Sequence, residues 1–400
     1  MIFIVNEEER MGKKLWIGLI VIVVLIFILL LLIAENNGDS LVEGECSQPL
    51  EVAIDLNSRP FYMGFTTWPP DFTIEAVNGM YEFIGDYADI IGFHFDGGVP
   101  WPEALNGEDF SNHLTNEWEG ARDKKPSNHK LYVAITPLDI SRENLASYWG
   151  SDTGQPLPSP WNSYSLNDEE VKTAFLNYAK RVIDFFNPDY LAIGIEVNIL
   201  LTRDQEKWEQ YLELHEYIYA ELKKDHPELP IFASVSLAQI NGLDQGNPIL
   251  QKEKVSEFMQ FNDFLGISTY PYGWAYWPAG KLDPVPEDFF DTFLIFGKPI
   301  AVTETGAPSQ DFSALGTNYK FDENYQRQYI ELLLRKAHEY DFEFVINWAN
   351  IDYDKLLEIF PDKNLREFAT IWAYTGLQRS DGCKKKALYV WDAYLKLPKI

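Results

Sequence analysis

Two glutamates stand where an apolar run gives way to a loop. Lys298–Ser309 reads KPIAVTETGAPS: Lys-Pro opens it, Ile300-Ala301-Val302 is apolar, and Thr303-Glu304-Thr305-Gly306 follows at once. Tyr190–Ile195 is apolar in the same way and delivers Glu196-Val197-Asn198. Short apolar runs bounded by turn formers read as buried strands of a parallel sheet. A carboxylate ending such a strand sits where core meets crevice, which is where α/β sheets bind ligands. One such Glu serves equally well as a helix cap or a lysine partner. Two of them, from different strands, are what acid-assisted cleavage of an acetal needs. One carboxyl donates a proton to the leaving oxygen, and the other attacks or stabilises the cation-like carbon. Burial and mutual repulsion separate the proton affinities of such a pair, so that one is neutral while the other is ionised.

The elements that position these groups recur in a regular rhythm. Candidate strands are Tyr62–Thr66, Ile90–Phe95, Lys130–Thr136, Tyr190–Ile195, Ile231–Val235, Phe264–Ser268, Ile300–Thr303 and Phe344–Trp348. Amphipathic stretches between them predict helices, the clearest over residues 167–186, 204–224 and 322–340. The first opens on Asn167-Asp168-Glu169-Glu170, a cap followed by an acidic turn, and stops at Asn187-Pro188. No Pro/Ser-rich linker interrupts the series after residue 60. Strands alternating with helices over this length predict one (β/α)8 barrel of the α/β class, with Trp149–Trp161 as a long loop at its mouth. The expected strand ends also bring Trp68, His94, Asp96, Tyr270, Trp348 and, further into a loop, Trp274 to that mouth. These, with Asn198, are candidate substrate contacts. Flat indole faces at Trp68, Trp101, Trp274, Trp277 and Trp348 suit the apolar faces of sugars, although any one Trp serves equally as packing.

The chain begins differently. Leu15–Ala34 is twenty residues without a charge, long enough to cross a bilayer as a helix. Arg10, Lys13 and Lys14 precede it, while Glu35, Asp39, Glu43 and Glu45 follow. The positive-inside rule then leaves the N-terminus in the cytoplasm and the rest outside. A cleaved signal peptide is the competing reading, but the apolar run is longer than a usual signal core and no small-residue cleavage site follows it. The expected organisation is therefore a short cytoplasmic segment at 1–14, a transmembrane signal anchor at 15–34, a stalk at 35–57 and the barrel at 58–400.

Acidic residues outnumber basic ones 61 to 33, for a formal charge of −28. Nucleic acid and anionic headgroups are poor partners for such a surface. Cys46 and Cys383, the two cysteines, lie near opposite ends of the exported part. They form a disulfide if those ends meet in an oxidising compartment, or remain two thiols if not. The histidines show no His-Glu-x-x-His spacing, no Gly-rich phosphate loop follows a strand, and there is no Gly-x-Ser-x-Gly elbow. No metal and no cofactor is expected, and the oligomeric state is open.

On these residues the chain resembles glycoside hydrolases of clan A, retaining (β/α)8 enzymes with the acid/base on strand four and the nucleophile on strand seven. Ile300–Ser309 is similar to their nucleophile strand. Asp263–Gly273, DFLGISTYPYG, is similar to strand six of arabinogalactan endo-β-1,4-galactanases, and Tyr374–Trp391 to the closing segment of such barrels. The resemblance implies Glu304 as nucleophile, Glu196 as acid/base, Tyr270 as a hydrogen-bond donor to the nucleophile, and a carbohydrate substrate. One departure concerns the residue before the acid/base. The family usually has Asn there to bind the sugar 2-hydroxyl, a feature some members, including certain β-mannanases, also lack. This chain has Ile195 there, and Asn198 two positions after the Glu. The expected function is retaining, endo-type hydrolysis of β-linked poly- or oligosaccharides at the cell exterior. The alternatives are a barrel that binds glycans without cleaving them and a transglycosylase.

Overall fold

The computed structural model describes residues 46–243, 245–272, 284–359 and 363–400. The expected transmembrane helix at 15–34 lies outside these residues, as do Trp274 and Trp277. Among the described residues no helix is long and apolar enough to cross a membrane.

The strands form one parallel ring. They are β1 (Tyr62–Thr66), β2 (Ile90–Phe95), β3 (Lys130–Ile135), β4 (Tyr190–Ala192), β5 (Ile231–Phe232 and Ser234–Ser236), β6 (Leu265–Thr269), β7 (Ile300–Thr305) and β8 (Phe344–Asn347). Each pairs with its neighbour in sequence, and β1 pairs with β8. The fifth strand is in two pieces because the Ala233 N–H is taken by the Asn262 side chain at 2.7 Å instead of by a strand. Backbone bonds from Ile193 to Phe232 and from Ser234 to Gly194 close the ring across that break.

The strands bury both faces, as a covered parallel sheet must. One apolar set fills the barrel: Ile90, Tyr132, Ala134, Tyr190, Ala192, Ile195, Phe232, Ala301, Phe344 and Ile346. A larger set lies between strands and helices, where the long helices Glu169–Phe186, Gln205–Asp225 and Glu323–Glu339 lay their apolar faces on the ring. Gly64 is required by close packing in the ring, since a Cβ there would meet the Ile90 carbonyl oxygen at 1.9 Å.

Cys46 and Cys383 are disulfide-bonded, with Cα atoms 5.1 Å apart. Residues 46–57, the described part of the expected stalk, form no helix or strand, and Val52, Ile54 and Leu56 pack against the core.

Candidate active site

Glu304 reaches the mouth through a local irregularity. From Val302 to Thr305, β7 spends one residue more than β8 does between Val345 and Asn347, and its register with β6 also shifts between Ile267 and Ser268. Such a bulge re-aims a side chain. The Thr303 hydroxyl donates to the Ile267 carbonyl at 2.9 Å.

Glu196 arrives by a different device. Strand β4 is shorter than the sequence predicts, ending at Ala192, because the chain leaves the extended conformation and Glu196 adopts φ +50°. A non-glycine residue in that region costs on the order of 1–2 kcal/mol. Here it is held by bonds from the Glu196 N–H to Ser234 Oγ at 2.9 Å and from the Val197 N–H to the Ser234 carbonyl at 3.0 Å. Gly194 lets the turn approach the neighbouring helix, since a Cβ there would sit 2.3 Å from the Tyr211 hydroxyl.

One hydroxyl joins the two carboxyls. Ser268 Oγ lies 2.9 Å from Glu196 Oε1 and 3.4 Å from Glu304 Oε1, so those two oxygens are no further apart than the sum of these contacts. Tyr270 donates to Glu304 Oε1 at 2.8 Å, and His94 Nδ1 stands 4.0 Å from Glu304 Oε2. Arg142, in the loop after β3, places Nη2 3.6 Å from Glu196 Oε2 and 3.9 Å from Asp96 Oδ2. The Glu304 and Glu196 side chains keep 12% and 22% of their surface exposed, so the pair is enclosed yet open to a ligand.

The electrostatics follow from this enclosure. Burial first, and then the charge of Glu196, pushes the Glu304 pKa up to about 8, against the lowering effects of the Tyr270 hydrogen bond and Arg142. Burial pulls His94 down to about 4, outweighing Asp96, so its imidazole is neutral near pH 7. Glu117, on the helix Asn112–Lys124, is likewise pushed up to about 8 by burial and then by Asp96.

Around the carboxyls the rings form a wall. Trp348 lies 6.0 Å from Trp68 and 5.5 Å from His94 between centroids, with Tyr353 edge-on to Trp68. Tyr132 lies edge-on to His94 at 5.7 Å. The structure thus gathers Glu196, Glu304, Tyr270, His94, Asp96, Trp348 and Trp68 at one mouth.

Asn198 is not among them. It is wholly buried, its amide donating to the Ser236 carbonyl at 3.0 Å and Gln251 Oε1 at 2.9 Å and accepting from the Ser236 N–H at 2.7 Å. Its helical neighbours turn it away from the mouth, so the expectation of a substrate contact is corrected. Trp101 is also no sugar platform: it is fully buried and stacked on Trp161. Ile195 belongs to the apolar filling of the barrel.

Ser268 and Arg142 were not legible as site residues. Ser268 shares the strand end that carries Tyr270, which is a usable signal. Arg142 lies in a loop, where a lone cation has no pattern to mark it. Among the described residues, no group of three or more His, Cys, Asp or Glu could hold a metal ion.

The fold is shared with solved glycosidases. The chain is similar to the exo-β-1,4-mannosidase Op5Man5 from Opitutaceae bacterium strain TAV5, at 14% identity and TM-score 0.58 over 85% of this chain and 60% of that one. It is also similar to GH5_18 from Streptomyces cattleya in complex with Manb1-4GlcNAc, at 13% identity and TM-score 0.59 over 85% and 83% of the two chains. Native xylanase 10B from Thermotoga maritima matches at 13% identity and TM-score 0.52 over 84% and 95%. This chain therefore spans 60% of the length of that mannosidase. At such identities the likeness establishes the fold, the parallel barrel that the clan A resemblance implies. No family model and no curated protein matches the sequence.

Proposed function

We propose that this protein is a retaining glycoside hydrolase acting on β-linked poly- or oligosaccharides. The observation that carries the reading is the pair of carboxyls joined by one hydroxyl. The summed Ser268 contacts cap the Oε1–Oε1 separation below the ~6.5–9.5 Å that leaves room for a water in inverting enzymes, a bound that admits the ~5–5.5 Å of retaining ones. A sugar seated on the Trp348–Trp68 wall has Glu304 below its anomeric carbon and Glu196 beside the leaving oxygen. In the reacting form Glu304 is the carboxylate and the one proton of the pair sits on Glu196, which gives it up as the glycosidic bond breaks and the bond from C1 to a Glu304 oxygen forms. Glu196 then takes a proton from water, which attacks C1 and frees Glu304. Tyr270 holds Glu304 in line, and neutral His94 occupies its other side without competing for the charge.

The barrel acts outside the cell in this reading, held by the apolar segment at 15–34. The basic residues before that segment and the disulfide after it both support an exported barrel. β-Mannosides and β-xylosides go first in a substrate screen, since the solved structures similar to this barrel include a β-1,4-mannosidase and a xylanase.

The test is turnover in variants at the pair. Glu304→Ala is expected to abolish product formation, and azide to rescue part of the activity of Glu196→Ala by attacking the glycosyl-enzyme. Near wild-type turnover in Glu304→Ala would sink the hydrolase reading. Glycan binding unaccompanied by products and unchanged in Glu304→Gln would move the assignment to a binding barrel, for which Ile195 is the favouring feature.

A further inference from the structure

A deeper role at the same site, resting on the hydrolase reading, belongs to Arg142. Its side chain is only 7% exposed. Nη1 donates to the Asp139 carbonyl at 3.3 Å, Nη2 makes the long ion pairs with Glu196 and Asp96, and Nε has no hydrogen-bond partner among the described residues. Its backbone is left-handed as well, φ +59°, so two strained non-glycine residues, Arg142 and Glu196, face each other across an ion pair. Strain retained at two facing residues is what a fixed geometry at a reacting group requires.

The groups facing Glu196 come from several elements. Arg142 comes from the β3 loop, with Asp96, the residue after β2, behind it; Glu304 comes from β7, and the Ser268 and Tyr270 hydroxyls from the end of β6. Among the described residues Arg142 is the one cation that pairs with Glu196.

We propose that Arg142 is a positioning residue for proton donation: it holds the Glu196 carboxyl at the leaving oxygen and stabilises the negative charge that appears there. In the first half-reaction the Glu196 O–H bond breaks, an O–H bond forms on the departing oxygen, and Glu196 is left as a carboxylate. A fixed cation beside a charge that develops during the step acts on the transition state more than on the bound substrate. The demand depends on the leaving group. Dinitrophenolate departs without a proton, whereas a phenolate or a sugar alkoxide needs one.

The experiment compares kcat and KM of the wild-type chain, R142A and R142K on the 2,4-dinitrophenyl and phenyl β-glycosides of the sugar that the wild type turns over. R142A is expected to lose about tenfold to a hundredfold in kcat/KM on the phenyl glycoside, mostly in kcat, and less than about threefold on the dinitrophenyl one. Millimolar guanidinium chloride should restore part of the phenyl glycoside rate alone. R142K, which keeps the charge but not the planar fork, should show the same imbalance in smaller degree and serves if R142A does not fold. Equal losses on the two substrates, or none on either, overturn the proposal. An active wild type with equal losses sinks only this inference; an inactive wild type sinks the hydrolase reading and this one with it.

Discussion

Glu304 shows how a single side chain ties stability to pH. In an unfolded chain its pKa is about 4.3, and in the barrel burial lifts it to about 8. A raised value means that the folded state holds the proton more tightly. The resulting stabilisation is complete below the unfolded value and is lost as pH rises through about 8. Glu304→Gln imitates the neutral acid at every pH. It should therefore match the wild type below about pH 4 and exceed it above pH 8, by on the order of 1–3 kcal/mol. Thermal unfolding at both pH values checks this, and a constant difference between the two proteins would refute it. The same titration bears on turnover. Retaining hydrolysis needs one proton within the pair, so kcat/KM should fall as the last one leaves at about 8.

At the scale of elements, the mouth is made by interruptions of regular structure. The bulge in β7 turns Glu304 inward, and the early end of β4 turns Glu196 toward it. The fifth strand braces the second device, since Ser234 receives the Glu196 N–H and Ser236 exchanges two hydrogen bonds with Asn198. Asn198 thus fastens the helix that starts at the mouth to the strand beside it. Asn198→Ala would strand the buried Ser236 N–H and the Gln251 amide oxygen. Each unsatisfied group costs ~1–3 kcal/mol, so urea unfolding should show a loss of at least about 2 kcal/mol. Turnover per folded molecule should stay within a few-fold, because the side chain touches no sugar. A selective rise in KM with unchanged stability would restore Asn198 as a binding residue.

Across the whole molecule, the Cys46–Cys383 bond fastens the start of the described chain to its end. Cys383 lies in the turn whose Gln378 bridges to Ile351, just beyond β8, and Ser47 bonds to Glu323 at the start of the helix that follows β7. Cys46 is thus fixed at the rim that carries the carboxyls, and the chain runs from it to Arg59, which pairs with Lys399 at the other end of β1. Cys383→Ser should cost ~2–5 kcal/mol and leave residues 46–57 open to limited proteolysis. Thermal unfolding with and without reductant checks this: the wild type should fall to the level of the variant, and a reductant-insensitive melting point would show that the bond contributes nothing.

Much of this molecule was written locally. Apolar runs of strand length placed all of the ring strands to within a few residues, and amphipathic spacing placed the long helices, because burial on two faces or on one stripe leaves a periodic mark. Strand ends in turn pointed to Glu196, Glu304, His94, Asp96, Tyr270, Trp68 and Trp348. Strict alternation sets Glu304 on the opposite face from Thr303 and Ala301 alike, and nothing in IAVTET says which of them a bulge will favour; the pairing with β6 and β8 decides that. Asn198 looked free until the end of β5 took its amide. Ser268 and Arg142 became site residues only when strands and loops far apart in the chain met, because a hydrogen bond or an ion pair between distant segments leaves no period in the sequence. Composition, period and turn chemistry act between neighbours and so determined the barrel. The aim of each polar side chain depends on which strand lies beside it, and only the closed ring settles that.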